Sequence, residues 1–317
     1  MPNAMLKERM TMKINSLNEF EKYKQAKLGK KNLTENQKIQ ALAEILLTAH
    51  FYNLECYNNL GLQIETDVRV NPLSNKDVDI QICKNNLKLN IEVKTPEQDF
   101  IEEGKFHAKL PHRYPNVERA ENNQDIKTSA DMLKKQSNIE TQILKTNDNK
   151  LKDYIESGNA KFGERNSDAL NVLIIMCTSE QMGDYLLYLL NPHSGLITPN
   201  SYDKTLDFSK IDYIAISNAV EGIVRSCEYE FDINNFSNYV TLFFSPHKEI
   251  LNKNDTTKLL WSIMPNNCKQ FRDFETDHSV ELEQNGIPQD IHYQFIWADY
   301  LAKYHPEFAL NKPEKKL

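Results

Sequence analysis

Apolar and polar positions alternate most sharply in two short stretches of the chain. In Asp77-Val78-Asp79-Ile80-Gln81-Ile82 a strand would place Val78, Ile80 and Ile82 on one face and Asp77, Asp79 and Gln81 on the other. In Leu89-Asn90-Ile91-Glu92-Val93-Lys94 the same period buries Leu89, Ile91 and Val93 and sets Asn90, Glu92 and Lys94 on the opposite face. Between them, Lys84-Asn85-Asn86 is turn chemistry, which predicts a hairpin. Its polar side would gather several carboxylates and one ammonium on a small patch.

The flanking pattern predicts a mixed α/β order. A short helix is expected over residues 16 to 31, ending at Gly29, with a basic outer face that suits either solvent or a DNA-contacting arm. Thr34-x-x-Gln37 forms a capping box that opens a second helix reaching about Tyr52, with Ile39, Leu42, Leu46 and Ala49 as its apolar stripe and Glu44 at the edge of the core. Leu62 to Val70 alternates as a strand, stopped by Asn71-Pro72. After the hairpin comes a polar stretch from Glu97 to about Asp125, longer than an ordinary connection. It carries a basic cluster, Lys105, His107, Lys109, His112 and Arg113, interleaved with Phe106 and Tyr114, which suits phosphate contacts or a solvated loop.

Residues 126 to 158 read as two helices broken near Asn147-Asp148-Asn149, and Leu170 to Cys177 is a continuous apolar run expected of a strand buried on both faces. A helix over Gln181 to Leu190 and a strand over Ile211 to Ser217 follow. Beyond residue 221 the expectations are a strand at Tyr239 to Phe244, a helix near 255 to 263 and a last helix from about Gln289 to Tyr304.

Composition narrows the class. Of 317 residues 40% are apolar and 26% charged, as in a soluble globular protein. No apolar run nears the ~18 residues of a spanning helix, and Met1 to Arg9 lacks the apolar core of a signal peptide. A cytoplasmic protein without a membrane partner is expected. The five cysteines are scattered, with no C-x-x-C pair, and read as free thiols rather than zinc ligands. The histidines form no H-x-H or H-E-x-x-H arrangement, and the signatures of P-loop, Rossmann and hydrolase-elbow enzymes do not occur. The net charge of -7 is uneven: residues 1 to 150 hold 23 basic against 21 acidic side chains, residues 151 to 317 hold 15 against 24. That balance disfavours indiscriminate binding to nucleic acid without excluding DNA as a partner.

Phosphodiester hydrolysis needs a nucleophile, stabilisation of charge on the phosphorus oxygens and help for the leaving group. Mg²⁺ held by two carboxylates supplies most of this, because it lowers the pKa of bound water and screens the phosphate. Asp79 and Glu92 suit one such ion, the Val93 carbonyl offers a further oxygen, and Lys94 would orient water or stabilise the developing anion.

The order of a helix with Glu44, a strand, Asp77 and Asp79, a hairpin and then Glu92-Val93-Lys94 resembles the PD-(D/E)xK nuclease superfamily, which includes most type II restriction endonucleases. The resemblance covers residues 34 to 217. It implies a restriction-endonuclease-like core, a mixed central β-sheet flanked by helices, with N-terminal helical and C-terminal additions. It also implies that Asp79 and Glu92 bind Mg²⁺ or Mn²⁺, that Lys94 is the catalytic lysine and that Glu44 assists. Asp77 competes with Asp79 as the first ligand; Asp79 is favoured because it lies inside the alternating strand, and no proline precedes either.

The expected division is an N-terminal arm, 1–33, a nuclease core, 34–220, and a C-terminal region, 221–317, for target recognition or dimer contacts. The expected function is a Mg²⁺-dependent DNA endonuclease acting on double-stranded DNA as a homodimer, a type II restriction enzyme or related defence nuclease. A catalytically silent interaction module of the same fold, or a repair or transposon-end nuclease, are the alternatives.

Overall fold

The structure is a computed structural model that describes residues 11–97, 106–109, 124–137, 140–144, 146–190, 195–198, 201–225, 236–247 and 254–287, together with 296, 299, 300 and 303. The chain forms two compact units, each assembled from separated segments. The first draws on Met1–Thr95, Ser157–Cys177 and Phe208–Cys268, the second on Pro96–Glu156, Thr178–Asp207 and Lys269–Leu317.

In chain order the elements are β1 (Met12–Lys13), α1 (Leu17–Leu28), α2 (Glu35–Asn58), β2 (Gln63–Val68), β3 (Val78–Lys84), β4 (Leu87–Lys94), β5 (Phe106–Lys109), α3 (Gln124–Ser137), β6 (Thr141–Leu144), α4 (Asn147–Lys161), β7 (Ala169–Met176), α5 (Ser179–Leu190), β8 (Tyr213–Ser217), α6 (Val220–Arg225), β9 (Thr241–Phe244), α7 (Asn254–Ile263) and α8 (Asn266–Gln284). The first unit is built on a seven-stranded mixed sheet in the order β1-β2-β3-β4-β7-β8-β9. Pairing is antiparallel from β1 to β4, parallel from β4 through β7 to β8, and antiparallel again at β9. The second unit holds a parallel pair, β5 and β6.

Thr34 caps α2 through a reciprocal box with Gln37, the bond pattern its sequence requires. The helix runs past Tyr52 to Asn58, because Asn59 in the left-handed region (φ 47°) ends it and Glu55 turns back to accept the backbone N–H groups of Gly61 and Leu62. From Ala41 to Phe51 every residue of α2 is buried, so the apolar stripe is only part of its covered surface. Ile45, Leu46 and Ala49 pack with Ile80, Ile91 and Val93 of the hairpin, Val172 and Ile174 of β7, and Leu260 and Ile263 of α7 in one hydrophobic cluster. Each such aliphatic side chain stabilises the fold by about 1.5–3 kcal/mol relative to exposure.

The polar face of the hairpin is also buried, which alternation alone does not reveal. Gln81 donates to Asn90 at 2.7 Å and Asn90 to Asn171 of β7 at 2.8 Å; Asn171 in turn donates to the carbonyls of Gly163 and Lys210. A chain of side-chain amides therefore crosses three strands and satisfies its members in the interior.

Several expectations need revision. Asn147-Asp148-Asn149 starts α4 rather than breaking a helix: Asp148 accepts the N–H of Asn149, and Asn149 donates to Thr146, the local bonding typical of helix starts. A short strand, β6, lies between the two expected helices. Residues 106–109 of the polar stretch form β5, while the side chains of its basic cluster lie outside the described residues. The helix expected over 289–304 also falls outside them, except for single positions, whereas α8, with few apolar residues, was not anticipated. Among the described residues no helix is long and apolar enough to cross a membrane.

Candidate active site

The final pair in the β3–β4 ladder is Ile80 with Ile91, so the next step along both strands brings Asp79 opposite Glu92. Asp79 Oδ2 accepts the backbone N–H of Val93 at 2.8 Å, which fixes the carboxylate against β4. Glu92 is completely buried. Two ammonium groups approach its Oε1, Lys94 at 2.8 Å and Lys161 at 2.6 Å, and Lys161 also reaches within 4.0 Å of Asp79 Oδ1. Among the described residues neither carboxylate oxygen has a partner beyond these two ammonium groups, so the lysines are what balances its charge. Burial and the adjacent Asp79 push Glu92 up to about 7, against the pull of the two lysines.

Lys161 is the last residue of α4, and two close approaches bring it there. A Cβ on Gly158 would lie 3.3 Å from the Leu173 side chain, on the β7 residue paired with Glu92, and one on Gly163 would lie 2.9 Å from the Val70 carbonyl. Asn71, read from the sequence as a strand stopper, ties down the same turn by donating to the Ala160 carbonyl. For Lys161, burial lowers the pKa but Asp79 and Glu92 outweigh it and hold the ammonium above its ordinary value.

The N-terminal half of α2 supplies the other wall. Gln40 donates to the Val93 carbonyl at 2.9 Å and to Glu44 Oε1 at 2.8 Å, and its own carbonyl accepts both the N–H and the hydroxyl of Thr95 at 2.9 Å. One amide thus fixes the end of β4 on either side of Lys94. Glu44, expected at the edge of the core, lies inside it. It is buried and paired with Lys27 of α1 at 2.5 Å, and Lys27 also contacts Asp67 at 3.2 Å. Burial and the charge of Asp79 raise Glu44 above the usual carboxylate range, against Lys27. Asp67 adopts φ 53° within β2, and its side chain accepts from Lys27 while the β2–β3 register continues unshifted on either side of it.

Of the sequence-derived candidates, Asp79, Glu92 and Lys94 converge, and Glu44 lies within electrostatic reach of Asp79. Asp77 instead pairs with Arg69, at 3.5 Å, at the start of β3. The Val93 carbonyl already serves Gln40, although a second lone pair remains. Gln40, Lys161 and Lys27 went unnoticed in the sequence. Gln40 stands four residues before Glu44, a spacing that pairs side chains on a helix and could have marked it; Lys161 and Lys27 come from distant segments with no local signal.

The donor set is compatible with a small divalent cation. Glu92 offers two buried carboxylate oxygens without hydrogen-bond partners, and Asp79 Oδ1 lies on the same side. Among the described residues no group of three or more His, Cys, Asp and Glu side chains could hold a metal ion. Any ion here would therefore keep most of its water, as Mg²⁺ does. No family model, curated protein or solved structure matches the chain.

Proposed function

We propose that this protein is a Mg²⁺-dependent DNA endonuclease whose first unit is a restriction-endonuclease-like core. The observation that carries the reading is Glu92: a fully buried carboxylate, one strand across from Asp79, that among the described residues is balanced by the side chains of Lys161 and the partly exposed Lys94 alone. Burying such a carboxylate is costly even with two ammonium groups beside it, and sites that tolerate it are disproportionately functional. The order of a capped helix, three antiparallel strands, a helix and a parallel strand agrees with that core.

When bound, the divalent ion supplies an activated water and charge compensation at the phosphate. Asp79 and Glu92 would hold it, Asp79 being aligned by the Val93 N–H. Lys94 presents a partly exposed ammonium beside the buried Glu92, where it can orient a water or meet the phosphate oxygens. Gln40 and Thr95 keep the strand end that carries Lys94 in place. Double-stranded DNA is the substrate, and restriction or a related defence duty, exercised by a homodimer on two-fold sites, is the role we favour.

Incubation of the purified protein with supercoiled plasmid and Mg²⁺ or Mn²⁺, beside Lys94→Ala and Asp79→Asn, tests this. Discrete metal-dependent fragments, lost in both variants, support a restriction enzyme. Nicking or end-trimming without sequence preference shifts the duty to repair or transposon processing. Absence of cleavage on duplex, single-stranded and branched DNA with both metals overturns the enzyme reading in favour of a silent interaction module.

A further inference from the structure

We propose that Lys161 is a place-holding cation: its ammonium neutralises Glu92 and Asp79 in the metal-free protein and swings out when a divalent ion enters, becoming available to a phosphate. The inference rests on the nuclease reading above and adds a residue and a transition to it. Lys161 touches both expected ligands, at 2.6 Å from Glu92 Oε1 and 4.0 Å from Asp79 Oδ1, so it stands where a cation bridging the two carboxylates belongs. With Lys94 on the same oxygen, two carboxylates face two ammonium groups and the site is formally neutral. A doubly charged ion entering that arrangement would meet two ammonium groups at close range, a repulsion that a largely buried site screens poorly.

One lysine must give way, and geometry separates the two. Lys94 extends from the strand end held by Gln40 and Thr95 on either side. Lys161 reaches in from the last turn of α4, and among the described residues its ion pairs are with the two expected ligands. Its side chain is 16% exposed, so an outward path exists, and a long flexible stem lets the charge travel without moving the helix. Retraction from Glu92 would leave that charge at the rim of the site, on the side where a bound phosphate carries its negative oxygens.

The test is titration of Mn²⁺ into wild type, Lys161→Met and Lys161→Arg, followed by calorimetry in the absence of DNA, with folding checked by circular dichroism. Removing a competing charge should tighten Mn²⁺ binding by roughly tenfold in Lys161→Met, whereas Lys161→Arg should stay near wild type. A merely structural lysine would give the opposite, weaker binding together with lower stability. Should Lys161→Met not fold, the wild-type protein decides. Acylation of Lys161 by an amine-reactive reagent, followed by mass spectrometry, should accelerate on saturation with Mn²⁺ because the ammonium is released. Unchanged or tighter protection of Lys161 overturns the inference and leaves the nuclease reading standing. Failure of wild type to bind Mn²⁺ in a manner sensitive to Asp79→Asn overturns both.

Discussion

Asp79 accepts the backbone N–H of Val93 at 2.8 Å, so a carboxylate of β3 continues the bonding of β4 beyond the last ladder pair. Asp77, just before the same strand, meets only the half-exposed Arg69 among the contacts described above. The two acids should therefore separate in both stability and chemistry. Asp79→Ala orphans a buried N–H and is expected to cost about 1–3 kcal/mol, while Asp77→Ala should cost less than about 1 kcal/mol. Urea unfolding measures the first contrast and plasmid cleavage the second, where Asp79→Ala abolishes activity and Asp77→Ala retains it. The reverse order in either assay would return Asp77 to the site.

Glu92 gives the protein a pH signature. Its folded pKa is pushed up to about 7 from the ordinary 4.5 by burial and then by Asp79. The folded state therefore keeps a proton that the unfolded chain has released. Stability from this group is present at low pH, declines as pH rises through that interval and levels off above it. Glu92→Gln cannot ionise, so its stability relative to wild type should grow across the same window in chelator. Denaturant midpoints at about pH 5 and about pH 8 suffice; parallel profiles for the two proteins would contradict the assignment.

Gln40 makes four contacts through one amide, to Glu44, the Val93 carbonyl and two atoms of Thr95. Gln40→Ala should lower stability by about 2 kcal/mol and lower cleavage further than that loss explains, because Lys94 is no longer held. Cleavage measured well below the melting temperature, where both proteins are folded, distinguishes the two effects. Equal activity there would confine Gln40 to stability.

Lys27 and Glu44 form a pair whose members depend on each other. For Lys27, burial lowers the pKa but Glu44, Tyr23 and Asp67 outweigh it and raise the ammonium above its normal range. Lys27→Met alone leaves Glu44 without its cation and should destabilise by about 3–5 kcal/mol, whereas Lys27→Met combined with Glu44→Gln should recover much of that loss. A double-mutant cycle with no coupling would show that the pair is not a unit.

The sequence made the strands and the second helix legible because their signals are local. The Thr34-Gln37 box, the alternation of β3 and β4 and the apolar run of β7 each reside within a few adjacent residues. Asp79, Glu92 and Lys94 were legible for the same reason: one hairpin carries all three. Lys161 was not, since its place beside Glu92 depends on how closely the chain around Gly158 and Gly163 approaches its neighbours, and the two glycines reveal that only once the partners Leu173 and Val70 are known. The burial of Glu44 escaped for a related reason, because a helix pattern shows one covered stripe and cannot foresee a lysine arriving from α1.

The amide chain from Gln81 through Asn90 to Asn171 lies two positions along the strands from Asp79 and Glu92. Sliding β3 past β4 by one residue would strand these amides without partners, and that penalty leaves the hairpin a single phase. Only in this phase do Asp79 and Glu92 face one another. The spacing of the acids is thus set by groups that take no part in chemistry, much as a keyway fixes the angle of a gear on its shaft.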